Sequence, residues 1–434
     1  MQQPFRRHFL TFTGLALGLM TGGGAHAEDG AGAASGVSPA LSPSLSPSLS
    51  PSLSISGFGT VGLVHASERH ADFTSSVLKK HGAGATRRWS ADVDTRLGLQ
   101  LDLALSKRWS AVLQVVSEQD LDNSYRPRVE WANIKYQVTP ELALRVGRMA
   151  LPMFLAAEYR KVGYIYPWIR PPVEAYGSMP FTSGDGADIN YRWSLGPLRN
   201  VSQVFYGYAD VGLGKPLRAY GRRITGVANT SDWGALSMRA SVIDTEATSD
   251  IVGELFDAFD AFGPAGAAIT RAYAIDHKRF SVASLGVSYD PGRWFAMAEA
   301  NRTLTHSLLG ATRSVYASAG WRQGSFTPYL TWSRVHPDSA TADPGLPLAG
   351  LPPALAGRAA ALNQVLNGIL ATIPAQTSSS AGVRWDLRTN MALKLQYDRV
   401  TPHRGSRGTL INQTPGFVSG RATHVASVAL DFVY

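Results

Sequence analysis

The chain has 434 residues, 17% of them charged, with a formal net charge of +9 and no cysteine. The lack of cysteine excludes disulfides, thiolate metal sites and a cysteine nucleophile, and the mild basic excess forms no Lys/Arg block of the kind that binds nucleic acid. Beyond residue 27 no run of about 18 apolar residues occurs, which excludes a helical membrane span but not spanning by strands, whose signal is only alternation over about ten residues.

Residues 1–27 read as a secretory signal. Arg6 and Arg7 give a basic start, FLTFTGLALGLM an apolar run, and Ala25-His26-Ala27 an A-x-A cleavage site, so the mature chain is expected to begin at Glu28. Losing those two arginines would lower the net charge to +7. Residues 28–53, with a repeated SPSL unit, are expected to be an extended linker, because proline removes donors and serine and glycine bring no core.

From residue 54 onward the pattern has period two. In Arg96-Leu97-Gly98-Leu99-Gln100-Leu101-Asp102-Leu103 every odd position is leucine, and the alternation recurs at 143–147, 187–193, 381–387 and 393–398. Sixteen such segments start near residues 53, 93, 108, 130, 141, 186, 200, 219, 234, 279, 293, 313, 325, 379, 391 and 422. Tight turns such as Thr139-Pro140-Glu141, Leu195-Gly196-Pro197 and Asp290-Pro291-Gly292 alternate with long links near 67–91, 118–125, 150–184, 210–218, 246–277, 305–312, 337–377 and 401–421. This alternation predicts an all-β fold: a transmembrane antiparallel β-barrel of 16 strands with short periplasmic turns and long outer loops. Closure pairs every backbone group, which strands in hydrocarbon require.

The last segment, Thr423 to Tyr434, puts Val428, Leu430, Phe432 and Tyr434 on one face and ends on an aromatic residue. With the leader, the strand count and the loop alternation, the chain resembles the Gram-negative porins over residues 54–434. RVGRMALPMFLAAEYRKVGYIYPWIRPPVEAYG, Arg145 to Gly177, carries the most specific likeness: a long third loop follows the fifth strand, and its Tyr-Pro-Trp and Arg-Pro-Pro clusters look like a proteobacterial subfamily. The resemblance implies an outer-membrane, water-filled channel for passive diffusion of small hydrophilic solutes and ions, commonly a homotrimer, with no cofactor. Tyr434 departs from the usual terminal Phe.

That loop (150–184) is proline-stiffened and aromatic, and needs a surface to pack on. An outer cap is one reading; a constriction folded into the lumen, built from Glu158, Tyr159, Arg160, Lys161, Tyr164, Tyr166, Trp168, Arg170 and Glu174, is the expected one. If apolar positions face lipid, the opposite parity lines the pore with Arg96, Lys135, Arg145, Arg192, Arg239, Arg322, Arg384 and Lys394, against Asp102, Asp188, Glu299, Asp386, Asp398 and Asp431. An arginine or lysine on lipid at the midplane costs about 2 to 4 kcal/mol, so these groups are expected to face water. The basic excess predicts weak anion preference.

Apolar residues recur at helical spacing in the fifth loop (Val252, Leu255, Phe256, Phe259) and the seventh (Leu362, Val365, Leu366, Ile369, Leu370), predicting short helices on the rim. Two alternatives stand beside the general channel. A substrate-specific channel is suggested by Tyr159, Tyr164, Tyr166 and Trp168. An outer-membrane enzyme is opposed by the absence of G-x-S-x-G, H-E-x-x-H and P-loop motifs.

GFGTVG, Gly57 to Gly62, matches a dinucleotide fingerprint but lies in a strand with no helix after it. Its glycines are expected instead at the closure seam, covered by Phe432 and Tyr434.

Overall fold

The computed structural model describes residues 51–434 apart from Pro180; the expected signal and nearly all of the linker lie outside the described residues. Among the described residues sixteen long strands form one sheet. They are β1 (Ser52–Ala66), β2 (Arg96–Ala104), β3 (Trp109–Glu118), β4 (Arg128–Gln137), β5 (Leu142–Ala150), β6 (Ser183–Leu195), β7 (Leu198–Gly212) and β8 (Arg218–Trp233). The second half continues with β9 (Leu236–Ser249), β10 (Lys278–Tyr289), β11 (Trp294–Thr305), β12 (Thr312–Trp321), β13 (Phe326–Pro337), β14 (Gln376–Arg388), β15 (Met391–Pro402) and β16 (Thr423–Val433).

Each strand pairs antiparallel with the next, and β16 returns to β1 with Val433 opposite Phe58 and Val425 opposite Ala66. The barrel is closed and has no edge. Short turns and long loops alternate as the sequence predicts. Two of the turns are two-residue loops, between Leu195 and Leu198 and between Trp233 and Leu236, whose first residues Gly196 and Gly234 have φ of 57° and 59°. Positive φ there lets the turn follow the strand twist, and glycine adopts it without a Cβ penalty.

The closure seam follows the expected geometry. The N–H of Gly57 donates to the carbonyl of Tyr434 at 3.1 Å, and the N–H of Tyr434 donates back at 3.0 Å. A Cβ on Gly57 would lie 2.1 Å from the Tyr434 ring, and one on Gly59 would lie 2.3 Å from the Phe432 ring. The aromatic rings occupy the space that side chains would need.

The outward face is apolar, with Leu53, Ile55, Leu97, Ile134, Val146, Val242, Leu285 and Leu330 exposed. Near the short turns it carries Trp109, Tyr136, Trp193, Trp233, Tyr289, Trp294, Trp321, Phe326, Trp385 and Tyr434, an aromatic girdle of the kind found at a membrane interface. A closed barrel with this belt spans a membrane by strands.

The inner face departs from the simple parity rule. On β7–β13 it is apolar too: Phe205, Ile224, Ile243, Phe280, Val282, Phe295, Tyr316 and Tyr329 point inward and are buried. These side chains pack on the third loop and on α2 (Gly253–Asp260), α3 (Pro264–Tyr273) and α4 (Pro353–Leu370) of the fifth and seventh loops. The predicted helices are present, and Phe256, Phe259, Leu366 and Leu370 are buried while Val365 remains exposed. Helices and loop thus fill this side of the lumen with an apolar core.

Candidate lumen and constriction site

The third loop, residues 151–182, turns into the barrel and crosses it. Its backbone leaves the sheet ladder and carries carbonyls that need donors; charged side chains of the far wall supply them. Lys394 donates to the carbonyls of Gly163 (2.7 Å) and Trp168 (2.8 Å) and is ion-paired with Asp431 at 2.7 Å. Arg384 donates to the carbonyls of Tyr164 and Tyr166, pairs with Asp386, and lies 4.6 Å from the Tyr164 ring centre. A Cβ on Gly163 would meet Asp431 at 2.4 Å and Thr60 at 2.6 Å, so only glycine lets the loop approach this closely.

Further along, Trp168 Nε1 donates to Ser318 Oγ at 2.9 Å and Ile169 N to Gln396 Oε1 at 3.1 Å. Arg170 donates to both oxygens of Asp94 (2.8 and 2.5 Å), to Asp398 (3.2 Å) and to Ser427 (2.8 Å). Burial opposes its charge, but Asp94 outweighs burial and holds the guanidinium pKa above its ordinary value. Burial likewise pushes the Asp94 carboxyl up, and Arg170 brings it below the ordinary range. The short helix α1 (Val173–Tyr176) completes the crossing. Glu174 accepts from Ser333, Gln376 and Ser378, and the hydroxyl of Tyr176 donates to Glu299.

Several predicted lumen groups therefore do not face water. Lys394, Asp431, Glu299, Asp398 and Arg384 of the wall are buried under the loop, Lys394 and Asp431 completely, and the loop's own Arg170 and Glu174 are buried against the wall. Parity put the wall groups on the correct face; what covers them comes from far earlier in the chain, 123 residues for Tyr176 over Glu299 and 231 for Gly163 over Lys394. Tyr164, Tyr166 and Trp168 are also buried, packed on the wall rather than arrayed along a path. Arg322 sits at a periplasmic turn, paired with Asp290 at 2.6 Å.

The remaining predicted residues form a polar arc on the opposite wall, β2–β6, together with Arg239 of β9. Arg96, Asp102, Lys135, Arg145, Arg192 and Arg239 point inward and are half-buried. Arg145 donates from Nε to Asp188 Oδ1 at 2.9 Å, and Gln203 and Asn190 donate to the same carboxylate. The first half of the loop faces this arc. Glu158 lies in the field of Arg239, Arg145 and Asp188, and burial pushes its carboxyl above the usual range despite the two arginines. Its Oε1 is buried and accepts no hydrogen bond among the described residues, as Nε and one Nη of Arg239 donate none. Tyr159 donates to the carbonyl of Leu155 at 3.1 Å, Arg160 to that of Tyr176, and Lys161 pairs with Glu118.

The first loop contributes a residue that sequence reasoning missed. Lys79 folds inward, donates to the carbonyl of Asp92 at 3.1 Å, and shares a field with Glu118, Arg96, Lys161 and Asp94. Burial lowers its pKa to about 8, with Glu118 opposing. The available signal was the apolar content of that loop: Phe73, Ala83 and Val93 make a buried cluster with Val173 and Val400, which draws the loop into the barrel.

Two electrostatic groups result. Lys135, Arg145, Arg192 and Arg239 surround Asp188 and Glu158; Lys79, Arg96 and Lys161 surround Glu118 and Asp94, the latter already held by Arg170. In both groups cations outnumber acids.

This is a porin-type fold: a closed sixteen-stranded antiparallel barrel with an apolar belt and an inward-folded third loop, which places the chain in the bacterial outer membrane. Solved structures agree at the level of fold. The chain is similar to an anion-selective porin from Comamonas acidovorans (12% identity, 88% of this chain and 100% of that one, TM-score 0.51). It is also similar to OmpF of Salmonella typhi in complex with daunomycin (12% identity, 88% and 97% covered, TM-score 0.52) and to the outer membrane channel DcaP of Acinetobacter baumannii (11% identity, 90% and 100% covered, TM-score 0.50). No family model and no curated protein matches the chain.

Proposed function

We propose that the protein is an outer-membrane channel through which small hydrophilic solutes and ions diffuse passively along the polar arc, with a weak preference for anions. The observation that carries this reading is the cation excess of the two groups flanking the first half of the third loop. Fixed charges at a narrow point select ions by sign. The anion-selective porin among the similar structures is consistent with it.

Of the four aromatics that would favour a substrate-specific channel, Tyr164, Tyr166 and Trp168 are buried and Tyr159 is partly buried, which supports the general channel over a specific one. No enzymatic activity is assigned in this reading. The homotrimer implied by the resemblance and the cleaved leader with its linker are part of the proposal, and cross-linking and N-terminal sequencing of the purified protein test them. The decisive experiment is the reversal potential of the protein in a planar bilayer under a salt gradient. A sign corresponding to anion preference is expected; cation preference, or no conductance, would end the proposal.

A further inference from the structure

On the outer surface, β11–β13 carry basic side chains at positions whose parity elsewhere is apolar. Arg302 of β11 stands directly opposite Arg313 of β12, and Arg313 stands opposite His336 of β13. Arg334 shares that outward face, opposite Val315 and two residues nearer the membrane centre than His336. Like charges directly opposed across strands repel each other. The acid beside them is Asp338, whose carboxylate lies 2.6 Å from Arg313 and 3.7 Å from Arg302. Arg334 is exposed and forms no ion pair among the described residues, and His336 Nδ1 is buried without a hydrogen-bond partner. The row is short of negative charge.

Immediately below it the surface is hollow. Ala240, Ala283 and Ala300 alternate with the larger Val242, Leu285 and Val315, leaving a groove of about 670 Å³ whose upper wall is Arg302, Arg313, Arg334 and His336. Depth follows from the girdle. Arg302, Arg313 and Arg334 each lie eight residues along their strand from a girdle aromatic, Trp294, Trp321 and Phe326. Eight residues of strand rise about 27 Å, or roughly 20 Å once tilted, which is close to the height of the apolar band. The arginines therefore sit at the outer headgroup level, where a lipid-facing charge costs only about 0 to 1 kcal/mol.

We propose that this face is a docking site for a phosphate-bearing, acylated lipid of the outer leaflet. The phosphate lies among Arg302, Arg313 and Arg334, with His336 as an additional polar partner, and an acyl chain lies in the alanine groove. Guanidinium groups match phosphate oxygens two at a time, and one phosphate relieves the repulsion that Asp338 only half neutralises. Free phosphate would answer the charges but leave the groove empty, and a second copy of the chain would cover the groove without demanding phosphate. The inference uses the membrane placement of the barrel but not its conductance.

The test uses the full chain purified in detergent and titrated with an acylated, bisphosphorylated glucosamine disaccharide, with the same lipid stripped of phosphate, and with inorganic phosphate, read by native mass spectrometry. The intact protein should retain the phosphorylated lipid at least tenfold more tightly than the stripped one, and millimolar inorganic phosphate should not displace it. R302Q/R313Q/R334Q should lose at least tenfold, and A283W, which fills the groove, should lose affinity with the charges intact. Should the triple variant not fold, R334Q breaks no ion pair and should still weaken binding several-fold. Equal affinity for the two lipids, full displacement by inorganic phosphate, or an oligomer that dissociates in the triple variant while lipid retention is unchanged would each overturn the proposal. A protein that binds the lipid but does not conduct would overturn the channel reading alone.

Discussion

The two halves of the third loop use the same residue types for different ends. The second half, from Tyr164 to Tyr176, is bolted to β11–β16 and to Asp94 ahead of β2: Arg170, Glu174, Arg384 and Lys394 are buried, and each has several partners. The first half, from Leu155 to Lys161, faces a half-buried arc where Lys135, Arg145, Arg192 and Arg239 exceed their acids. A buried charge is fixed by its partners and is costly to strip of them; a half-exposed charge keeps its field in the water path. Anchoring and selectivity are thereby divided between two stretches of one loop.

Four outcomes would break or sharpen that division. Arg170→Met leaves Asp94 and Asp398 without their cation; it should cost about 3 to 5 kcal/mol, the usual penalty for breaking a buried pair, and release the loop. Thermal unfolding should fall and single-channel conductance should rise, and an unchanged conductance would show that the loop is held elsewhere. Lys394→Met removes donors from two loop carbonyls and leaves buried Asp431 without its cation, held among the described residues only by the hydroxyl of Thr60. A loss of about 3 kcal/mol is expected, and part of it should return in K394M/D431L, where no orphan charge remains.

On the other half, R192Q/R239Q should leave the unfolding temperature within the range of an exposed substitution, about 0.5 kcal/mol, while moving the reversal potential toward zero. A stability loss as large as that of Arg170→Met would erase the distinction. The smallest effect is pH-dependent. Lys79 is held near pKa 8 by burial, so raising the pH from 7 to 9 should remove its charge and lower anion preference by less than half the R192Q/R239Q shift. The linked stability change has the opposite sense. The unfolded state binds more protons between pH 8 and 10.5, so the contribution of this lysine rises with pH through that window. K79M should abolish the pH response of the reversal potential.

Much of the barrel was legible in the chain. Period-two alternation, the strict succession of short and long links and the terminal aromatic strand all report local demands: a strand with one face on lipid must repeat every second residue, and a turn must hold residues that tolerate it. The seam at Gly57 and Gly59 was legible for the same reason, since a closed barrel has one place for its last strand to go. The inner face was legible only by parity. Parity places Lys394, Arg384 and Glu299 inside but does not say whether water or another part of the chain meets them there. Where Phe205, Ile243 and Tyr329 also point inward, the rule that apolar means lipid fails, because a loop and three helices supply a second apolar environment.

The sequence by itself thus determined the strand count, the alternation of short and long links and the closed barrel they make, all read from patterns that repeat every second residue. Which charges are anchors and which face the path, and the inward course of Lys79, were decided by the tertiary structure. Those outcomes depend on desolvation and on partners such as Gly163 and Lys394, 231 positions apart. A local pattern holds no record of contacts at that separation.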